Sequence, residues 1–83
     1  MYQVQKKDGR LEAFDRSKLI RGALAAGATT EEAEKVATGI EAWLPTAEVD
    51  GVVRSADLRT KSLELLREVN PAAATSFEAY KKV

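Results

Sequence analysis

The sequence contains neither cysteine nor histidine among its 83 residues. Without thiols there is no disulfide framework and no thiolate zinc site to staple a small chain. Without imidazole there is no Ser-His-Asp triad, no Cys-His nucleophile and no histidine-ligated metal. Ser17 and Ser55 therefore have no histidine to activate them, which excludes nucleophilic catalysis of that kind. Charge of one sign is also missing. The 13 basic and 13 acidic residues cancel, which argues against a general nucleic-acid binder. No apolar run approaches the roughly 18 residues a membrane-spanning helix needs, and no signal-peptide h-region opens the chain. Neither GxxxxGK[ST] nor GxGxxG occurs, so the P-loop and dinucleotide-binding readings fall. The expectation is a soluble, cytoplasmic module that is not an enzyme on its own.

What is present suffices for one small domain over residues 1–83. The 45% hydrophobic content is that of a folded chain, although a chain this short buries only about 60–65% of its unfolded surface. Tyr2, Val4 and Phe14, with the Asp8-Gly9 turn signal, predict a β-hairpin over 2–14. Two registers compete. A two-residue Asp8-Gly9 loop pairs Lys6 with Leu11 and Val4 with Ala13. A three-residue loop from Asp8 to Arg10 pairs Lys6 with Glu12 and Val4 with Phe14. The second gathers Tyr2, Val4 and Phe14 on one apolar face and is preferred, because apolar pattern fixes register.

Four helices are expected after the hairpin, at about 16–26, 30–44, 56–69 and 71–82. Asp15 caps the first, which turns Leu19, Ile20, Ala23 and Leu24 inward and ends at Gly27. Thr29 and Glu32 have capping-box spacing for the second. That helix carries Val36, Ile40, Trp43 and Leu44 at helical period and is stopped by Pro45. The stretch 46–54, with Asp50-Gly51 and Val52-Val53, reads as a loop with a short strand able to join the hairpin's edge. Ser55 caps the third helix, whose buried stripe is Leu58, Leu65, Leu66 and Val69 with Ser62 as a polar interruption. Asn70-Pro71 opens the last helix, with Phe77 in the core. The fold class is α+β, a small hairpin or three-stranded sheet capping a four-helix bundle.

Charge is balanced overall but segregated locally. Lys6, Lys7, Arg10, Arg16, Lys18 and Arg21 face only Asp8, Glu12 and Asp15 over the same stretch, whereas the second helix and following loop hold six acids against Lys35 alone. The bland reading is two solvated faces; the functional one is an anion site, since clustered cations raise local anion concentration. Lys6 stands out, because the preferred register puts it on the apolar face opposite Glu12. It is there either a rim salt bridge or a binding group.

The same stretch carries a motif: Val4, then Lys6-Lys7-Asp8-Gly9, Glu12, Phe14-Asp15 and Lys18-Leu19. In this combination the sequence resembles an ATP-cone. Glu34 to Leu44, Val53 to Leu58 and Ala73 to Tyr80 resemble the later segments of that family, so the likeness covers nearly the whole chain. Two positions depart from it: Ser76 stands where arginine is frequent, and Ala74 where tyrosine is. The resemblance implies a regulatory nucleotide-binding domain, of the kind found in ribonucleotide reductases and fused to a zinc ribbon in the repressor of their genes. Its expected ligand is ATP or dATP, with or without Mg²⁺. Its expected partners are a second copy of the chain or a ribonucleotide reductase or regulator. By position it implies a nucleotide site of Val4, Lys6, Lys7, Glu12, Phe14, Asp15, Lys18 and Leu19, the three lysines meeting phosphates. Ser55 and Arg59 would lie near the base, and Lys81 would approach the phosphates from the last helix. No zinc ribbon and no reductase domain occurs in these residues, and Met1 reads as a natural start.

Overall fold

The computed structural model describes residues 2–80, which form three strands and four helices. Strands β1 (Gln3–Gln5) and β2 (Leu11–Ala13) are the expected hairpin, and β3 is Val52–Arg54. The helices are α1 (Arg16–Ala25), α2 (Thr30–Ala47), α3 (Ser55–Val69) and α4 (Pro71–Tyr80). The fold is α+β, with a mixed sheet of order β2-β1-β3 capping the helices. β1 is the middle strand, antiparallel to β2 and parallel to β3.

Neither expected hairpin register is adopted. Val4 stands opposite Glu12, Gln3 opposite Ala13 and Gln5 opposite Leu11. The loop is three residues long but consists of Lys7 to Gly9, closed by Gly9 N–H to Lys6 O at 2.9 Å and Lys6 N–H to Arg10 O at 2.8 Å. The reason is conformational. Such a loop ends on a left-handed residue, and Gly9, at φ +91°, takes that position without the strain Arg10 would suffer. A slip of two residues preserves side-chain faces, whereas a slip of one inverts them. Tyr2, Val4, Lys6, Glu12 and Phe14 therefore still share one face. The second Asp-Gly pair makes the tighter turn. Asp50 and Gly51 both have positive φ, 55° and 79°, and Val49 and Val52 exchange backbone hydrogen bonds of 2.9 and 3.0 Å around them.

Asp15 caps α1 as expected, its Oδ1 accepting from Ser17 N–H at 2.9 Å. At the other end Gly27 N–H reaches Leu24 O and Ala28 N–H reaches Ala23 O, the double bond pattern of a Schellman motif. Leu24 is 39% exposed rather than inward. Its neighbour Ala23 takes the buried position on the last turn, at 2% exposure, which leaves Leu24 on the flank of the helix. Pro45 does not stop α2, which continues to Ala47. A proline near a helix end forfeits one backbone bond, and Pro45 and Glu41, whose carbonyl it leaves without that bond, are both exposed residues. Ser55 does not cap α3 either. The cap residue is Arg54, with no side-chain bond, because β3 runs directly into the helix and leaves Ser55 as its first turn.

α2 lies at the centre of the core. Ala33, Val36, Ala37, Ile40 and Leu44 are all at most 2% exposed, recurring at the period that gives one helix a single apolar face. Val53, Leu63, Leu66, Ala73 and Ala74 pack around them. Leu63 joins the buried stripe of α3, while Leu58, Leu65 and Val69 are half-buried. Ser62 is buried with its hydroxyl donated to Leu58 O at 2.7 Å, a bond that satisfies the donor within its own helix. Among the described residues no helix is long and apolar enough to cross a membrane.

The capping box at Thr29 and Glu32 forms, and it reaches further than its own helix. Glu32 Oε1 accepts from Thr29 N–H and from Asn70 Nδ2, both at 2.9 Å, while Asn70 Oδ1 accepts from Ala73 N–H at 3.0 Å. One carboxylate thus ties the start of α2 to the α3–α4 junction. The Thr29 N–H, and after it the Asn70 amide, hold Glu32 below the usual glutamate value of 4.5. A carboxyl group whose folded-state value is depressed stabilises the fold above its unfolded value and loses that contribution as pH falls through the folded one. Urea midpoints are therefore expected to fall as pH drops from about 5 to about 3. The decline should be shallower in Glu32→Gln; equal slopes would contradict this role for Glu32.

Candidate nucleotide site

The hairpin face that carries Val4, Lys6, Glu12 and Phe14 forms one wall of an open cleft of about 320 Å³, a size within the range of small-ligand sites. α1 supplies Asp15 at its cap and Lys18, Leu19 and Gly22 on its first two turns. α3 supplies Ser55, Leu58, Arg59 and Ser62. These fall at i, i+3, i+4 and i+7, so one stripe of the helix faces the cleft. Phe77 of α4 closes the far side. The lining is apolar in its floor and cationic at its rim.

Lys6 Nζ lies 3.6 Å and Lys18 Nζ 3.7 Å from the same oxygen of Glu12. Both separations exceed hydrogen-bond length, and the lysine side chains are 41% and 65% exposed. Such solvated pairs hold their partners by about 0–1 kcal/mol, so the lysines are weakly committed. The other cations of the basic stretch are directed elsewhere. Arg10 pairs with Asp8 at 3.1 Å within the turn, and Arg16 clips α1 to α2 through Glu41 at 3.1 Å and Thr38 at 3.2 Å. The local excess of positive charge therefore resolves into two lysines at the cleft and a set of exposed or structural residues.

Of the site residues expected from sequence, the structure brings together Val4, Lys6, Glu12, Phe14, Asp15, Lys18, Leu19, Ser55 and Arg59 in this cleft. Lys7 is not among its lining; it is exposed in the hairpin loop. Lys81 lies outside the described residues. Sequence reasoning missed Ala13, Gly22, Leu58, Ser62 and Phe77. Ser62 carried a usable signal, a serine on an otherwise apolar stripe one turn beyond Leu58 and Arg59. Phe77 was assigned to the core, and it does pack there, but it is half-buried and also faces the cleft. Gly22 carried no signal, because a glycine inside a helix names no neighbour.

One cleft thus gathers an apolar floor, two loosely held lysines, an arginine and the carboxylates of Glu12 and Asp15. The ATP cone domain profile matches residues 2–83, and the chain belongs to that family, whose members are regulatory domains that bind ATP or dATP. A protein of Fusobacterium nucleatum, the transcriptional repressor NrdR, is 39% identical over 95% of this chain and 55% of its own length. An uncharacterized protein of Archaeoglobus fulgidus is 57% identical over 37 residues, 45% of this chain and 79% of that protein. The chain thus spans little more than half of the repressor it matches. The family relationship supports a regulatory, nucleotide-sensing domain in general.

Proposed function

We propose that the cleft between the sheet, α1, α3 and α4 takes ATP or dATP, and that its occupancy alters contacts with further copies of the chain or with a partner of the ribonucleotide reductase system. The observation that carries this reading is the convergence of Lys6, Lys18 and Arg59 on an apolar cleft built by Val4, Phe14, Leu19 and Phe77. The adenine packs against the apolar residues, and the phosphates draw Lys6 and Lys18 off Glu12. Charge-assisted hydrogen bonds to phosphate are worth roughly 1.5–3 kcal/mol each, more than the exposed pairs they replace. Lys7 adds to the local potential from the loop. Mg²⁺, where it accompanies the nucleotide, would be carried largely by the phosphates, with Glu12 and Asp15 the acids that line the cleft. Among the described residues no cluster of three acids could hold a metal, and Asp15 is engaged as the α1 cap. The setting is cytoplasmic, with no role for a membrane, and nucleic acid is not a ligand of this cleft.

A second reading has one observation in its favour: the Glu12 carboxylate already stands 3.6 and 3.7 Å from the two lysines and offsets part of their charge. On that reading the chain keeps the fold as an interaction module and has lost the nucleotide. Thermal melts separate the two. A ligand at about 100 times its dissociation constant adds roughly 2.7 kcal/mol, on the order of 10 °C for a domain of this size. ATP and dATP are expected to give a shift of that order and GTP less, with sedimentation changing in step. No shift at millimolar ATP or dATP would sink the nucleotide reading.

A further inference from the structure

Among the described residues Arg59 differs from the other two cations of the cleft in having no carboxylate partner. Lys6 and Lys18 share Glu12, whereas none of the ion pairs among the described residues includes Arg59. The nearby acid Glu78 is turned to Arg67 at 3.8 Å. What Arg59 has is a long hydrogen bond from Nη2 to the Glu78 carbonyl, 3.4 Å, and the face of Phe77, with Cζ 5.7 Å from the ring centroid. Its Nε is buried and has no acceptor among the described residues. A buried donor without a partner is costly, and a guanidinium cannot shed its proton to escape the cost. The remedy is an acceptor brought by a ligand.

We propose that Arg59 is the residue that selects an anionic ligand in this cleft, its guanidinium taking a phosphate in a two-point contact in which Nε is one donor. The proposal rests on the nucleotide reading above but departs from the placement of Arg59 near the base that the family resemblance implies. A guanidinium presents parallel N–H groups that match two oxygens of one phosphate, a geometry lysine cannot reproduce. Phe77 holds the plane of the group from one side, and a small turn of the side chain, releasing the long contact to the Glu78 carbonyl, presents the buried Nε to the ligand. Lys6 and Lys18 then add charge, after leaving Glu12.

The test titrates the parent chain, Arg59→Gln and Arg59→Lys with ATP and, separately, with inorganic tripolyphosphate. Both ligands are expected to bind Arg59→Gln about ten- to a hundredfold more weakly, by similar factors, because the lost contact belongs to the phosphates. Arg59→Lys keeps the charge and is expected to remain about tenfold weaker than the parent; it also serves if the glutamine variant melts too low to titrate. Unchanged affinities in the variants would overturn the proposal. So would a loss confined to ATP, which would put Arg59 at the base. If the parent binds tripolyphosphate as tightly as ATP and Arg59→Gln loses both, the role of Arg59 stands and the adenine-nucleotide reading fails. If the parent binds neither ligand, both fail.

Discussion

Alanine at Lys6 or at Lys18 is expected to weaken ATP binding about ten- to a hundredfold, since a lost charge-assisted bond to phosphate costs roughly 1.5–3 kcal/mol. The fold should hardly notice. Each lysine makes one solvated contact, to Glu12 at 3.6 or 3.7 Å, and contacts of that kind contribute about 0–1 kcal/mol to stability. Each substitution also leaves Glu12 to the remaining lysine alone, so the loss on phosphate binding should exceed that of one isolated charge. Lys35, exposed on the acidic α2, supplies the control: alanine there should leave affinity unchanged. ATP affinity in the parent should fall with added salt, and less steeply in Lys6→Ala. Calorimetric titration at two ionic strengths measures both effects. Equal and negligible losses at Lys6, Lys18 and Lys35 would return the hairpin lysines to surface decoration.

Leucine at Gly22 is expected to abolish measurable nucleotide binding while raising the melting temperature. Gly22 sits inside α1, where leucine is favoured over glycine by roughly 0.5–1 kcal/mol. Its position lines the cleft, and a Cβ there would stand 3.7 Å from Phe77 Cε1, an ordinary contact. The backbone thus accepts a side chain, and its remaining carbons extend into the space between α1 and α4 that the ligand needs. Gly22→Ala, which adds the Cβ alone, should gain stability and keep most of the affinity. A leucine variant that melts higher and still responds to ATP would move the ligand out of this cleft.

The helices were legible because their signals are local. Asp15, Gly27, and Thr29 with Glu32 each act on backbone groups within a few residues, and the apolar period of α2 needs no partner to be recognised. The hairpin was half-legible. Its cleft-facing residues follow from alternation, which survives a two-residue slip, but its register turned on which residue would tolerate positive φ. Of two identical Asp-Gly pairs, one became the end of a three-residue loop and the other a two-residue turn with both members left-handed. The dipeptide alone does not separate these outcomes. Lys6, Glu12, Phe14 and Lys18 reached the candidate site through the motif. Phe77 and Ser62 did not, because their place in it depends on how α3 and α4 pack against each other. Pro45 misled for a related reason: whether a proline ends a helix depends on what solvates the carbonyl it frees.

The middle position of β1 bears on the order in which the molecule assembles. Its parallel neighbour β3 lies across α1 and α2 in the chain, with Val4 beside Val53 and Gln3 N–H bonded to Gly51 O at 2.8 Å. The contacts of α1 with α2, and of α3 with α4, join neighbours in sequence. Pairings over long chain separations carry a larger loop-closure cost and form more slowly than local ones. The two helical pairs should therefore collapse first, with the third strand adding to the hairpin late. The cleft has walls on both sides of that closure, hairpin and α1 on one and α3 and α4 on the other. During refolding, recognition of ligand should lag behind helix formation and track the docking of β3.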